Sequence, residues 1–267
     1  MKRGFPIAVA WLAAVFAVAP ILWVLITSVT PAEKLVQGRV GAGFSLASYI
    51  RVLSHTEFPL CIINSALVAL LTTLFTLGLG LIAAYALTRF RVVAKPLILA
   101  LLLAIPLFPQ ISILIYLYLA ASRLGLINTY AALIVPYTAL ALPLAIWYLV
   151  AVLDDIPRDL DNAARLDGCA PLRTLTSVLM PLVLPSMVAV GLLVFLLSWN
   201  EFIIALVLTT DAKARTAPVG LAMFQGTHYI PWADITAAAV VVLLPVVLLA
   251  FFGQRMLVAG LTRGALK

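Results

Sequence analysis

Long apolar runs separated by short polar segments make up nearly the whole chain. A helix rises about 1.5 Å per residue, so about 20 mainly apolar residues cross a ~30 Å hydrocarbon core. Six runs are long enough: 5–29, 61–87, 96–121, 129–153, 182–208 and 235–258. A barrel strand needs only about 9–11 residues and alternates apolar with polar positions. The pattern therefore predicts an all-α polytopic membrane protein built as a six-helix transmembrane bundle. The first run follows Lys2 and Arg3 and contains Ala17-Val18-Ala19, as a cleavable signal peptide would, but it stays apolar to Val29 and is read as a span. No polar linker divides the bundle, so residues 1–267 are read as a single transmembrane domain.

Composition agrees, with 65% hydrophobic and 10% charged residues against roughly 45–50% and roughly 25% in soluble domains. The net charge of +7 changes the picture only through its placement. Lys2, Arg3, Arg89, Arg91, Lys95, Arg158, Arg165, Arg173, Arg255, Arg263 and Lys267 flank the spans on one side. Lys34, Arg39, Arg51, Arg123, Lys213 and Arg215 lie on the other. The richer side is cytoplasmic by the positive-inside rule, which puts both termini and the 154–181 loop there. Bases scattered around span ends do not form the basic stripe of a nucleic-acid surface. Membrane lipid is the partner they imply, and no nucleic acid is expected. Cys61 near the outer end of its span and Cys169 in the inner loop lie too far apart for a disulfide.

Three polar segments exceed a short turn: 30–60 and 209–234 outside, and 154–181 inside. The inner one contains DNAARLDGCAPLRTLTSVLMPLVLP at 161–185. Pro157 suits a first helical turn, and Asp159 and Asp161 lie near the positive end of the helix dipole. Leu160, Ala163, Ala164 and Asp167 fall on neighbouring turns, and Gly168 supplies a stop with positive φ. About three turns of cytoplasmic helix are predicted. Its alanines bury too little area at roughly 25 cal/mol per Å² to anchor it to a membrane surface. They suit a close approach to a protein instead.

Glu201 is the sharpest polar feature within a run, about 12 Å from its outer end at 1.5 Å per residue. An ionisable group at such depth faces protein or a water-filled path. With Asn200 and Trp199 it is either a contact on a solute path or an interhelical hydrogen bond. Pro106, Pro109, Pro136, Pro143 and Pro245 free backbone carbonyls within spans, as cavity-shaping kinks or plain packing bends. Trp147 and Tyr148 are read as core filling, with sugar stacking as the other role. In the outer loop, Phe224 and Gln225 lie among aromatics and glycines that suit docking of a protein, or a loop folded over the bundle. No Gly-Lys-Ser or Gly-Lys-Thr occurs, so no P-loop can cradle nucleotide phosphates. His55 and His228 stand alone, so no metal site is expected. No nucleophile with its base lies in the spans, so no catalytic residue is assigned.

The stretch at 161–185 resembles the EAA loop of ABC importer permeases, whose pattern is Glu-Ala-Ala, a following Gly and a later Leu-Pro. Ala163, Ala164, Asp167, Gly168, Pro181 and Pro185 match, while Asn162, preceded by Asp161, holds the glutamate position. AYALTRF at 84–90, GLINTY at 125–130, WNEF at 199–202, ARTAPVGL at 214–221 and GLTRGALK at 260–267 resemble the maltose-type, carbohydrate-uptake branch, a binding-protein-dependent inner membrane component.

The resemblance implies a permease subunit in a prokaryotic plasma membrane that imports a sugar or sugar-like solute. It implies a second permease subunit, two copies of a cytoplasmic ATPase subunit and an extracytoplasmic solute-binding protein. Asp161, Asn162, Ala163, Ala164, Asp167, Gly168 and Pro181 would then form the coupling element between spans 4 and 5, with Gly264 and Lys267 in a tail that meets the ATPase. The chain itself would bind no cofactor, and ATP with Mg would be used by the partner. An ion-coupled secondary transporter is the alternative, for which Glu201 is the single intramembrane candidate.

Overall fold

The computed structural model describes residues 4–54, 56–224 and 230–265; of residues 4–8, 10 and 254–265 only the backbone is described. Thirteen helices follow in the described chain: α1 (Gly4–Val29), α2 (Ala32–Val36), α3 (Ala47–Ser54), α4 (Phe58–Arg89), α5 (Lys95–Ala104), α6 (Leu114–Arg123), α7 (Tyr130–Asp154), α8 (Asp159–Leu166), α9 (Pro171–Thr174), α10 (Met180–Trp199), α11 (Ile203–Leu208), α12 (Ala217–Ala222) and α13 (Trp232–Ala265). By length and apolarity, stretches of five of them suffice to cross a membrane: Trp11–Val29, Phe58–Arg89, Tyr130–Asp154, the continuous Pro171–Trp199 and Trp232–Gly253.

The expected third span, 96–121, is not one helix. It is a pair, Lys95–Leu107 and Gln110–Arg123, bent by 90°. Pro106 and Pro109 explain the break, since neither can donate a helical hydrogen bond. Phe108, between them, takes the extended conformation forced on a residue before proline, at φ −70° and ψ 133°.

The fifth span also departs from the expected 182–208. The helix starts at Pro171, passes through a widened turn over Leu175–Leu179 and stops at Trp199. The wide turn sits just before Pro181, whose ring excludes the carbonyl four residues back. The inner loop is accordingly shorter than 154–181, and Pro181 lies within the span helix.

α4 is the spine. It runs parallel to α7: Asn64 Oδ1 accepts from Tyr130 Oη at 2.7 Å near their outer ends, a Cβ on Gly80 would lie 3.4 Å from Ala145 at mid-length, and Arg89 reaches Ile156 at the inner end. α10 packs on both. The inner core gathers Tyr85, Leu149, Leu153, Leu179 and Val183; the outer core gathers Leu133, Tyr137, Ile204 and Leu208. α1 pairs with α13 at the periphery, where Trp11, Phe16 and Phe252 leave large apolar faces exposed.

Candidate functional site

Two places bring the expected functional residues together: the interrupted outer half of the bundle and the inner joint around α8.

At the outer interruption, α10 ends at Trp199 and Asn200-Glu201-Phe202 turn the chain into α11. Glu201 therefore lies in a break rather than inside a span helix. Its carboxylate accepts from the backbone N–H groups of Ile204 (2.8 Å) and Ala205 (3.1 Å) and from Tyr137 Oη on α7 (2.6 Å). Glu201 thus satisfies two orphan donors at the start of α11 and fastens the break to a neighbouring helix. The interhelical-bond reading of Glu201 is the one the geometry realises.

Trp199 is a packing and interhelical contact: it is 1% exposed, stacks on Phe195 and donates Nε1 to the Val242 carbonyl of α13 at 3.2 Å. Asn200 is exposed and donates back to Leu196. Gln110, from the other broken span, faces the same region. A 620 Å³ cavity is lined by Gln110, Leu196, Asn200, Glu201 and Ile203 among others. A second, of 280 Å³, joins Pro106, Gln110, Tyr137, Ser198 and Glu201. Gln110 was missed in the sequence reading, although its place one residue after Pro109 in an apolar run was a usable signal.

The outer loop is folded onto the bundle over its described part. Asn64 Nδ2 donates to the carbonyls of Ala212 (2.8 Å) and Arg215 (2.9 Å), and the Ala217 N–H donates to Ser65 Oγ at 2.7 Å. A Cβ on Gly220 would stand 2.9 Å from Cys61 Sγ, so α12 touches α4 where only glycine fits. The close spacing of Ala212, Ala214, Ala217 and Gly220 was the sequence sign of such packing. Phe224 is half-buried, edge-on to Phe58 with ring centroids 5.4 Å apart, while Met223 and Trp232 are exposed. Gln225 lies outside the described residues.

The 125–130 turn is clamped to the 208–211 segment. Asn128, at φ 61°, accepts from the Thr210 N–H and donates to Asp211 Oδ1 at 2.8 Å. That amide, helped by the Lys213 N–H, holds the Asp211 carboxyl below the usual carboxylate range. The sign follows: a depressed folded pKa contributes stability above the ordinary aspartate value of about 3.9, lost as pH falls through the lower folded value. Hydrogen exchange of residues 209–213, corrected for intrinsic rate, is expected to quicken as pH drops from about 5 to about 3. Asp211→Asn should flatten that dependence.

At the inner joint, α8 spans eight residues, Asp159–Leu166, shorter than the predicted three turns. Its stop is as expected: Gly168 has φ +77°, the Cys169 N–H bonds to the Ala164 carbonyl at 2.9 Å and the Gly168 N–H to the Arg165 carbonyl at 3.0 Å, which satisfies the last free carbonyls. Asp161 and Ala164, one turn apart, face inward, and Ala164 is 5% exposed. Ala164 is therefore packed against its own chain. Asn162, Ala163, Leu166 and Asp167 are exposed, Leu166 at 90%.

Arg89 Nε lies 2.9 Å from Asp161 Oδ2, with both side chains almost fully buried. The N–H is not aimed along that line, so charge rather than a linear hydrogen bond holds the pair. Of the tail, the backbone of Gly264 lies in α13, and Lys267 falls outside the described residues.

Residues 76–263 match the family described as binding-protein-dependent transport system inner membrane component. The chain is 41% identical over 271 residues to the trehalose/maltose transport system permease protein MalG of Thermococcus litoralis, covering 100% of this chain and 98% of that one. It is 40% identical to the sulfoquinovosyl glycerol transport system permease protein SmoH of Agrobacterium fabrum, covering 93% and 88%. It is 36% identical to the trehalose transport system permease protein SugB of Mycobacterium tuberculosis, covering 94% and 93%. The fold is similar to a chain in the crystal structure of a bacterial ABC transporter involved in alginate import, with TM-score 0.79 at 22% identity over 95% and 96% of the two chains. The ion-coupled alternative finds no support in these matches. Interrupted spans, an inner helix with a glycine stop and a full-length match thus converge, and the chain belongs to the binding-protein-dependent transport system inner membrane components, as a permease subunit of an ABC importer.

Proposed function

We propose that this permease passes a sugar or sugar-like solute inward, paired with a second permease and driven by two cytoplasmic ATPase subunits. An extracytoplasmic binding protein delivers the solute. The observation that carries the reading is identity of 41% along the whole chain to a trehalose/maltose permease. A similar fold, at TM-score 0.60, occurs in a bacterial alginate ABC transporter in complex with a periplasmic protein bound to alginate pentasaccharide, which supports a binding-protein partner.

The path runs along the two broken spans, where Gln110 and Asn200 present amides to the 620 Å³ cavity. Irregular backbone at membrane depth is tolerated where it lines such a cavity. The α8 region, with Asn162, Ala163 and Asp167 exposed, seats in the ATPase. Gly168 sets its exit angle, and Asp161 and Ala164 hold it to the bundle. Gly264 and Lys267 belong to the tail that meets the ATPase, and the exposed Met223 and Trp232 flank the segment that meets the binding protein. ATP and Mg are used by the partner ATPase, in keeping with a sequence that has no P-loop. The excess of basic residues flanking the spans on one side supports cytoplasmic termini.

The test is reconstitution. The chain alone in liposomes is expected to show neither ATP hydrolysis nor trehalose or maltose uptake, while the full assembly with its binding protein shows both. ATPase activity of the isolated chain, or uptake that follows an ion gradient without ATP, overturns the reading.

A further inference from the structure

We propose that the Arg89–Asp161 pair is a latch that makes α8 and the inner end of α4 one rigid body, so that displacement of α8 is delivered to the bundle's spine. The inference rests on the coupling role proposed above for α8. Chain connectivity ties α8 to α7 through residues 155–158, but nothing covalent ties it to α4. The α8 backbone packs against α9, and side chains carry its link to α4. Three interactions cross that joint or brace it. Arg89 Nε meets Asp161 Oδ2 at 2.9 Å, with side chains 3% and 6% exposed. Arg89 Nη2 donates to the Ile156 carbonyl at 3.1 Å, and Arg158 Nη2, from the α8 side, donates to the Thr88 carbonyl of α4 at 2.9 Å.

A buried ion pair is a poor device for stability, because desolvation offsets much of the attraction and an apolar pair of similar volume packs as well. What it adds is position: the Arg89 guanidinium is held by charge against the α8 carboxylate at 2.9 Å and donates Nη2 to the Ile156 carbonyl of the preceding turn, so one side chain of α4 ties both segments to it. α4 in turn packs along α7 and α10, so a push on α8 reaches the helix that bears Tyr137 and the helix that ends at Trp199, just before Glu201. Arg89 and Asp161 are positioning residues in this scheme.

The experiment uses the complete assembly in liposomes and reads trehalose or maltose moved per ATP hydrolysed. The apolar pair Arg89→Met with Asp161→Leu is expected to keep ATPase co-purification and thermal midpoint near wild type while the transport ratio falls about tenfold, within the range that coupling elements show. A merely structural pair predicts an unchanged ratio, and that result overturns the latch. The charge swap Arg89→Asp with Asp161→Arg should recover part of the ratio. Should the apolar pair fail to assemble, Arg158→Gln at an exposed position is read instead. A fall of about twofold is expected there, and an unchanged ratio overturns the proposal. A wild-type assembly that hydrolyses ATP without moving either sugar counts against the substrate reading, whereas normal wild-type import with normal variants counts against the latch alone.

Discussion

Glu201→Ala is expected to destabilise the chain by about 2–4 kcal/mol, the combined cost of losing a helix cap and stranding a buried donor. The carboxylate accepts from three donors, and Tyr137, Ile204 and Ala205 are all buried. Tyr137→Phe removes one of the three bonds and leaves the two backbone donors satisfied, at about 1 kcal/mol. Glu201→Gln should fall between them, since an amide keeps one accepting oxygen and loses the other. A solute contact without a structural role predicts a different pattern, with KM for the sugar raised and the thermal midpoint in detergent unchanged. Measuring midpoint and uptake KM for the three variants separates these, and an unaltered midpoint for Glu201→Ala removes the capping assignment.

Bilayer thickness made the spans legible, because the solvent imposes a length and an apolar run either meets it or does not. The α8 segment was legible for a local reason: Asp159 and Gly168 each state a position in a helix through their own charge or backbone preference, while Pro157, expected in the first turn, lies just before the Arg158 cap. What stayed hidden depends on partners distant in sequence. Asp161 read as an acid near the positive end of a helix dipole, but its partner Arg89 lies 72 residues earlier (161 − 89), and no periodicity links the two. The break at 105–113 hid within an unbroken apolar run, where Pro106 and Pro109 alone gave notice. Elsewhere Pro136 and Pro143 sit inside an intact α7, so proline in a span does not by itself decide between bend and break. The outer loop at 209–234 read as a docking surface or as a loop folded over the bundle, and small residues carry too little hydrophobic signal to decide between them. Their role is to let backbones approach, as Gly220 does against Cys61.

Inward placement of Ala164 reverses what a variant there reports. The EAA resemblance suggests a small residue facing the ATPase, yet Ala164 is 5% exposed within its own chain, one turn from the Asp161 that pairs with Arg89. Ala164→Arg must force a long side chain into a position that is 5% exposed, costing about 1–3 kcal/mol in overpacking. It should lower the thermal midpoint of the isolated subunit before any partner is present. Leu166 is the opposite case, 90% exposed and without a packing role here, so Leu166→Asp should change the isolated chain by less than about 0.5 kcal/mol. If α8 seats in the ATPase by this face, burial of Leu166 contributes about 1.5–3 kcal/mol, and its loss weakens association by about 10- to 150-fold. The two variants thus exchange phenotypes: one unstable alone, the other stable alone but stripped of ATPase subunits on purification, with uptake lost in both. Full ATPase co-purification by Leu166→Asp would move the docking face away from Leu166, and a wild-type midpoint for isolated Ala164→Arg would contradict the inward packing.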